Sequence, residues 1–296
     1  MPWSSLFQPV ERLTADAGLE DWYARLLARL GGTPQPFDLA LVGGLQAATP
    51  GLAFLAGYQA ALRMLWPAAP WTAGALCVTE NRSTRSADMN TRIEGLQISG
   101  RKDFVTAAEG ADWLLVAARE EDDGQTPRLA LGVVRQGAPG VRIEALPALP
   151  LMPDIGHARL HLDQAQCERL AGDGWDDYVK PFRTLEDVYV LTAVSAWLFG
   201  IGRESGWPGA LLLRLQALLA GCAEVARQAP NAPTTHLLLA GLFAEQQALA
   251  GDLEAALAIG APHWADLWQR DKGLLRIAET ARAKRLEKAR RIVAGL

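Results

Sequence analysis

Apolar side chains recur three and four residues apart over the first quarter of the chain, which is the spacing of an amphipathic helix. The run LEDWYARLLARL, residues 19–30, shows these intervals, and the glycine pair at 31–32 ends it. A further helix is predicted to begin near Pro50, because proline is favoured in the first helical turn. Residues 1–73 are therefore predicted to form a short helical domain.

The pattern changes to short, strand-like runs between residues 74 and 178. Turn signals separate these runs, and EGLQISG is typical of a β-hairpin with a Glu-Gly turn. Strands of this length and spacing indicate a small barrel or a sandwich. The runs are ALCVTE, RIEGLQISGRKDFVT, DWLLVAARE, RLALGVVRQ, VRIEAL and ARLHLD.

Helical spacing returns in the segment 179–296, where four long amphipathic runs are joined by short links. The first run begins at Pro181 and carries a pair that resembles a capping box, Thr184 and Asp187. Four such helices predict an up-down bundle. The whole chain is therefore predicted to be α+β, with helices first, strands in the middle and a bundle at the end.

Composition is compatible with a large core and gives no sign of disorder. The chain has 296 residues, half of them apolar, and a mild net charge of −4 that requires neither nucleic acid nor an anionic membrane. Three cysteines far apart fit neither a disulfide framework nor a metal site. No signal peptide is visible, and no uncharged apolar run reaches the roughly 20 residues of a membrane span. We expect a cytoplasmic protein.

Two further features have ordinary explanations. His157 and His161 stand four apart in an alternating run without nearby ligands, so we predict surface histidines and no metal site. The last helical run is basic, but Glu279 and Glu287 interleave and no aromatic platform lies beside it. We therefore predict a solvated face and no nucleic-acid partner. The basic residues are Arg276, Arg282, Lys284, Arg285, Lys288, Arg290 and Arg291.

Four local motifs, in this order along the chain, resemble the acyl-CoA dehydrogenase family of flavoproteins. ALCVTE matches the opening of the family's CxTEPxAGSD loop, and GLQISGRKDFVT is similar to its G-x-x-(L/I)-x-G-x-K-x-(F/W)-(I/V)-T pattern. MPDIGHARLHLDQAQCERLAGDGW and PFRTLEDVYVLTAVSAWLFGIGR follow. The resemblance covers residues 40–203. It implies a short helical domain at 1–73, a β-barrel domain at 74–178 and a C-terminal four-helix bundle at 179–296.

The resemblance implies a bound FAD, which carries the redox chemistry while the protein tunes it. Val78 and Thr79 would meet one side of the flavin ring, Phe104 would be its apolar plate, and Thr106 would hydrogen-bond its edge. Each of these residues also fits an ordinary strand. The family's glycine loop is replaced by a segment with two arginines. Arg82 and Arg85 either bind phosphate through charge-assisted hydrogen bonds or are surface side chains.

The family's reaction also needs a carboxylate that removes the α-proton of the substrate. Many relatives carry this glutamate in a Tyr-Glu-Gly-Thr-like break near the end of the bundle. The corresponding segment, 263–278, lacks that tetrapeptide and is predicted to continue as a helix, with Gln269 or Asp271 nearest in position. A subset of the family places the glutamate on the first bundle helix, where Glu186 falls. Glu186 is our predicted base; the alternative is an exposed first-turn acid.

Two functions from different classes remain. The first is FAD-dependent α,β-oxidation of an acyl thioester such as an acyl-CoA. The second is a non-catalytic relative without FAD that acts as an interaction or regulatory subunit. The missing glycine loop favours the second, and the intact CVTE and KDFVT segments favour the first. The apolar bundle helices predict a homodimer or a complex with a paralogue.

Overall fold

The computed structural model describes residues 3–84, 86–120 and 128–295. Its N-terminal part is helical, as predicted. The second and third helices each begin with a proline in the first turn. The third is also capped by the Thr49 hydroxyl, which accepts a hydrogen bond from the Leu52 amide at 3.1 Å. The elements are a 3-10 turn at Trp3–Phe7 and helices α1 (Leu19–Arg29), α2 (Pro36–Gln46) and α3 (Pro50–Leu65).

Eight strands form one curled, mixed sheet. Their order is β6-β7-β3-β2-β4-β5-β8, and β1 pairs in parallel with β4. The end strands of this path do not pair with each other among the described residues, so the sheet is a half-barrel and not a closed barrel. The strands are β1 (Gly74–Cys77), β2 (Arg92–Glu94), β3 (Gln97–Thr106), β4 (Trp113–Glu120), β5 (Arg128–Arg135), β6 (Val141–Ala145), β7 (His157–Gln166) and β8 (Glu168–Arg169).

The predicted hairpin is present and correctly placed. β2 and β3 pair antiparallel with Glu94 opposite Gln97, and Gly95 has a φ of 58° in the connecting turn. Both faces of the sheet are covered. Ile98, Val116 and Leu160 pack inside the curl, whereas alternate residues of β4 and β5 join the helical core.

The C-terminal part is built around one long, nearly fully buried helix, α4. It packs against α2, α3 and α5, and glycines permit the close approach: a Cβ at Gly44 would lie 2.1 Å from the carbonyl oxygen of Ala193. The elements are a π-helical turn at Gly174–Val179, α4 (Lys180–Glu204), α5 (Gly209–Val225), α6 (Pro233–Ala248), α7 (Ala250–Ile259), α8 (Pro262–Asp271), a 3-10 turn at Lys272–Arg276 and α9 (Glu279–Ala294).

The third and fourth predicted helical runs are each divided. The third is split at Leu249 into α6 and α7, and the prediction of an unbroken helix through 263–278 is wrong. The break follows Asp271, whose buried carboxylate accepts hydrogen bonds from the Met152 amide at 2.9 Å and from Arg270. A tertiary contact, invisible in the local pattern, thus accompanies the end of α8.

The segment Gly174–Glu204 is long and apolar enough to cross a membrane, but 94% of its most apolar 18-residue stretch is buried inside the protein. The central helix of a bundle has the same property. The domain boundaries at 73/74 and 178/179 remain predictions.

Candidate functional site

A buried ion pair fixes the segment that follows β1. The ammonium of Lys102 lies 2.5 Å from the carboxylate of Glu80, and the side chains of both are almost inaccessible to solvent. The Asn90 amide donates a hydrogen bond to the same carboxylate at 2.6 Å, and the Thr91 amide adds another. Burial opposes ionisation of Glu80, but these partners outweigh it and hold its pKa below the ordinary value. Both ends of the 80–91 segment are therefore attached to β3.

The tip of this segment is a two-residue turn without glycine. The amide of Glu80 donates to the Ser83 carbonyl at 2.9 Å, and the Ser83 amide donates back at 2.7 Å. Asn81 and Arg82 between them have φ values of 48° and 60°. Two successive left-handed residues define a type I′ turn, which usually takes Asn-Gly. The Asn81 amide donates to the Asp103 carboxylate at 2.6 Å, so the turn is also tied to β3.

The predicted ring-binding residues lie together on and beside β3. The Asp103 amide donates to the Thr79 carbonyl at 2.9 Å, which places Thr79 next to the residue preceding Phe104. The Val78 carbonyl lies on the same segment and is 3.5 Å from the Lys102 ammonium. The structure therefore brings Val78, Thr79 and Phe104 into one region. Arg85, the remaining predicted cofactor residue, lies outside the described residues.

A β-bulge presents the aromatic ring. Lys102 pairs with Leu160 and Val105 pairs with Ala158, so β3 has one residue more than β7 over this interval. The extra residue turns the strand, and Phe104 is 39% exposed although Val105 beside it is fully buried. Thr106 is half-buried two residues later. Neither the Thr79 nor the Thr106 hydroxyl has a hydrogen-bond partner within the described part of the chain.

His157 is a site residue that the sequence reasoning placed wrongly on the surface. It pairs with Thr106 across β3 and β7, and its ring stacks on Phe104 with 4.4 Å between centroids. The side chain is buried, and burial lowers its pKa, so the imidazole is neutral at pH 7. His157 therefore supports the far face of the Phe104 ring. The only sequence signal was its position in an alternating strand opposite the KDFVT strand.

Glu186 lies in the second turn of α4 and is half-buried, so its alternative reading as an exposed first-turn acid is wrong. Burial raises the pKa of Glu186 to about 8; neighbouring Asp187 adds to the rise, and Arg183 and Arg285 oppose it. Its carboxylate makes no hydrogen bond or ion pair with any residue the structure describes. A half-buried, unpaired carboxylate of raised pKa is the form that a general base takes.

Two observations relate the first turns of α4 to the β1–β3 region. Burial raises the pKa of Tyr58 well above its ordinary value, and the charge of Glu186 contributes to that rise. The same Tyr58 hydroxyl accepts a hydrogen bond from the Leu76 amide at 2.8 Å, at the end of β1. Arg183, three residues before Glu186, donates to the Thr84 hydroxyl on the segment after β1. Helix α4 therefore approaches the segment that follows Thr79, and Glu186 lies one turn after the contacting Arg183.

Neither of the other two candidate bases shares these properties. Asp271 is fully buried, and its carboxylate is already bonded to the Met152 amide and to Arg270. Gln269, which has no basic carboxylate, lines a cavity of about 770 Å³ between α6, α8 and α9. Neither Glu186 nor any predicted ring residue lines that cavity. In the described ranges, no group of three or more His, Cys, Asp or Glu side chains could hold a metal ion.

The residues fit a flavin ring better than they fit its diphosphate. An exposed aromatic plate with two free hydroxyls nearby suits the ring and its polar edge. A diphosphate is commonly cradled by backbone amides of a glycine loop. In this turn the amides of Glu80 and Ser83 are bonded to each other's carbonyls, and the Asn81 amide is bonded to Asp103 on β3.

No protein-family model matches the chain, and no curated protein matches it. Several solved structures, however, are similar to this chain over most of its length. FkbI, for biosynthesis of the methoxymalonyl extender unit of FK520, has 22% identity and a TM-score of 0.66, covering 92% of this chain and 93% of its own. Butyryl-CoA dehydrogenase from Megasphaera elsdenii has 14% identity and a TM-score of 0.57, covering 84% and 80%. The FAD complex of PigA has 14% identity and a TM-score of 0.54, covering 94% and 84%.

These similarities extend over most of the chain. The chain therefore has the fold of the acyl-CoA dehydrogenase-like flavoproteins, and the resemblance found in the sequence is confirmed at the level of the fold.

Proposed function

We propose that this chain is an FAD-dependent oxidoreductase that oxidises the α,β-bond of an acyl thioester such as an acyl-CoA. The observation that carries the proposal is Glu186: a half-buried carboxylate with no partner in the described structure and a pKa of about 8. In this proposal it serves the region of Thr79, Phe104 and Thr106, which is supported by the contact of Arg183, on the same helix, with the Thr84 hydroxyl. The named neighbours support the reaction class, because one is a butyryl-CoA dehydrogenase and another is complexed with FAD.

Each residue has a distinct role in this proposal. Phe104, stacked on His157, would support the flavin ring, and the hydroxyls of Thr79 and Thr106 would hydrogen-bond its polar edge. The bound flavin supplies the acceptor for the hydride that leaves the β-carbon. The Glu186 carboxylate takes the α-proton, so the substrate loses one proton and one hydride and gains a carbon–carbon double bond. Arg183 and Arg285 favour the ionised form of Glu186 and thereby keep part of it competent at neutral pH.

The first test is the absorbance spectrum of the protein after incubation with FAD and gel filtration. We expect a retained flavin band between about 350 and 500 nm, the range in which bound flavin absorbs. Bleaching of that band is then followed with a series of acyl-CoA thioesters. Glu186→Gln should keep the flavin but lose turnover by at least about 100-fold, the usual contribution of a general base. Glu168→Gln, at an exposed position on β8, is the matched control.

Exchange of the substrate α-proton with deuterated water gives an independent readout, because it reports the base without requiring flavin reduction. Glu186→Gln should abolish exchange, whereas Glu168→Gln should not. A Glu186→Gln variant that exchanges and turns over like the wild type would refute the assignment of the base.

The second candidate function is a non-catalytic interaction or regulatory subunit without FAD. It is favoured by the closed turn at Glu80–Ser83, whose internally bonded amides leave the usual phosphate cradle unavailable. A protein that retains no flavin band even with excess FAD would support this candidate. Sedimentation would then show whether it pairs with itself or with a paralogue. Leu213 and Leu238, exposed on α5 and α6, mark the face that we expect to be covered.

We also expect the protein to be cytoplasmic. Cys77, Cys167 and Cys222 are buried and unpaired, which suits a reducing compartment.

A further inference from the structure

We propose that the side chain of Arg82 binds the diphosphate of FAD, in the role that backbone amides of a glycine loop would otherwise have. This inference rests on the proposed function, since it requires that the flavin ring lies at Thr79, Phe104 and Thr106. It adds an anchoring residue for the anionic part of the cofactor.

Three backbone amides of the turn are already engaged. The amides of Glu80 and Ser83 are bonded to each other's carbonyls, and the Asn81 amide is bonded to Asp103. These bonds close a turn whose ends are fixed to β3 and to the buried Glu80–Lys102 pair. These three amides are not available to a diphosphate above the turn, whereas an arginine side chain binds phosphate oxygens through charge-assisted hydrogen bonds.

Among the described cationic residues near this turn, Arg82 is available for a ligand, whereas its neighbours are engaged. Lys102 is buried against Glu80 at 2.5 Å, and Arg101 is paired with Asp103 at 2.8 Å. Arg183 donates to the Thr84 hydroxyl and lies over the Trp175 ring. Arg82 is exposed and has neither a hydrogen bond nor an ion pair with any described residue.

The position of Arg82 suits the length of the cofactor. It follows Thr79 by three residues, so their Cα atoms are at most about 11 Å apart. In FAD, the ring and the diphosphate are separated by a five-carbon ribityl chain, so an anchor is needed at some distance from the ring and not beside it.

The backbone conformation at residue 82 indicates that the arginine side chain itself has a role at this position. Arg82 has a φ of 60°, where an L-residue other than glycine is disfavoured and where this turn type normally takes glycine. Glycine would relieve the strain and lose the charge. Arg82→Gly therefore separates a structural role from a binding role, because the two predict opposite effects.

The experiment measures the dissociation constants of FAD and of riboflavin, which lacks the diphosphate, by quenching of flavin fluorescence. The variants are Arg82→Gln, Arg82→Gly and the control Asn81→Gly, which relieves strain in the same turn and keeps the charge. We expect both Arg82 variants to weaken FAD binding about tenfold or more, the effect of one charge-assisted hydrogen bond, and to leave riboflavin unchanged. Asn81→Gly should change neither ligand, and Arg82→Gly should melt no lower than the wild type.

Three outcomes separate the inference from the proposed function. If riboflavin and FAD bind the wild type and the Arg82 variants bind FAD equally well, Arg82 is not the anchor, although the ring site stands. If Asn81→Gly weakens FAD as much as Arg82→Gln, the turn conformation and not the charge is responsible. If the wild type binds neither ligand, the ring site is refuted and the inference fails with it.

Discussion

The buried Glu80–Lys102 pair should be the strongest determinant of the local structure at the candidate site. Lys102→Met removes the ammonium but keeps an unbranched apolar chain of similar length. The Glu80 carboxylate, 4% exposed, would then retain only the amides of Asn90 and Thr91. Removing one partner of a buried ion pair usually destabilises a protein by about 3–5 kcal/mol, because an uncompensated charge stays in a medium of low polarity.

The magnitude can be measured with a double-mutant cycle in urea. We expect Lys102→Met to lower the free energy of unfolding by about 3 kcal/mol or more and Glu80→Gln to lower it by a similar amount. The double variant should lose much less than the sum of the two, because neither charge is then left alone. Arg101→Met is the matched control: its ion pair with Asp103 is half exposed, and such pairs contribute about 0–1 kcal/mol.

The same variants test the connection to function. Because the pair attaches the Thr79-bearing segment to β3, Lys102→Met should also weaken flavin binding, whereas Arg101→Met should not. The reasoning is refuted if Lys102→Met costs less than about 1 kcal/mol, the value of an exposed pair. It is equally refuted if the two single effects add without coupling.

Three further predictions follow from Glu186 and Gly44. Since the pKa of Glu186 is raised to about 8, kcat/KM should increase with pH and level off above that value; a profile that is flat between pH 6 and 9 would exclude Glu186 as the base. The raised folded-state pKa also means that the native state binds this proton more tightly than the unfolded state, so stability falls as pH rises from about 4.5 to about 8. Glu186→Gln should remove that dependence and be more stable than the wild type at pH 9 by about 2 kcal/mol, after discounting the full shift for partial exposure. Gly44→Ala should lower the free energy of unfolding, measured in urea, by about 1–3 kcal/mol or more. The reason is that the added Cβ would lie 2.1 Å from the Ala193 carbonyl oxygen. An unchanged urea midpoint would show that α2 and α4 can move apart at little cost.

The sequence by itself determined the order and type of most elements. Local spacing located α1, the β2–β3 hairpin with its turn at Gly95 and the start of α3 at Pro50, but it did not separate α2. Val78, Thr79, Phe104 and Thr106 were identified instead by the resemblance of two segments to family motifs. Local spacing can locate such elements because the period of apolar residues and the turn residues depend on the environment of a single element.

The tertiary structure alone determined the contacts between elements. The bulge that exposes Phe104, the His157 ring behind it and the pairing of Lys102 with Glu80 all join residues more than 20 positions apart or on different strands. The left-handed turn at Asn81–Arg82 and the end of α8 at Asp271 likewise coincide with hydrogen bonds to Asp103 and to Met152. Such conformations oppose local preference, since an arginine in the left-handed region is disfavoured by its own Cβ. In each case a hydrogen bond to a distant segment accompanies the conformation, and no local pattern encodes that partner.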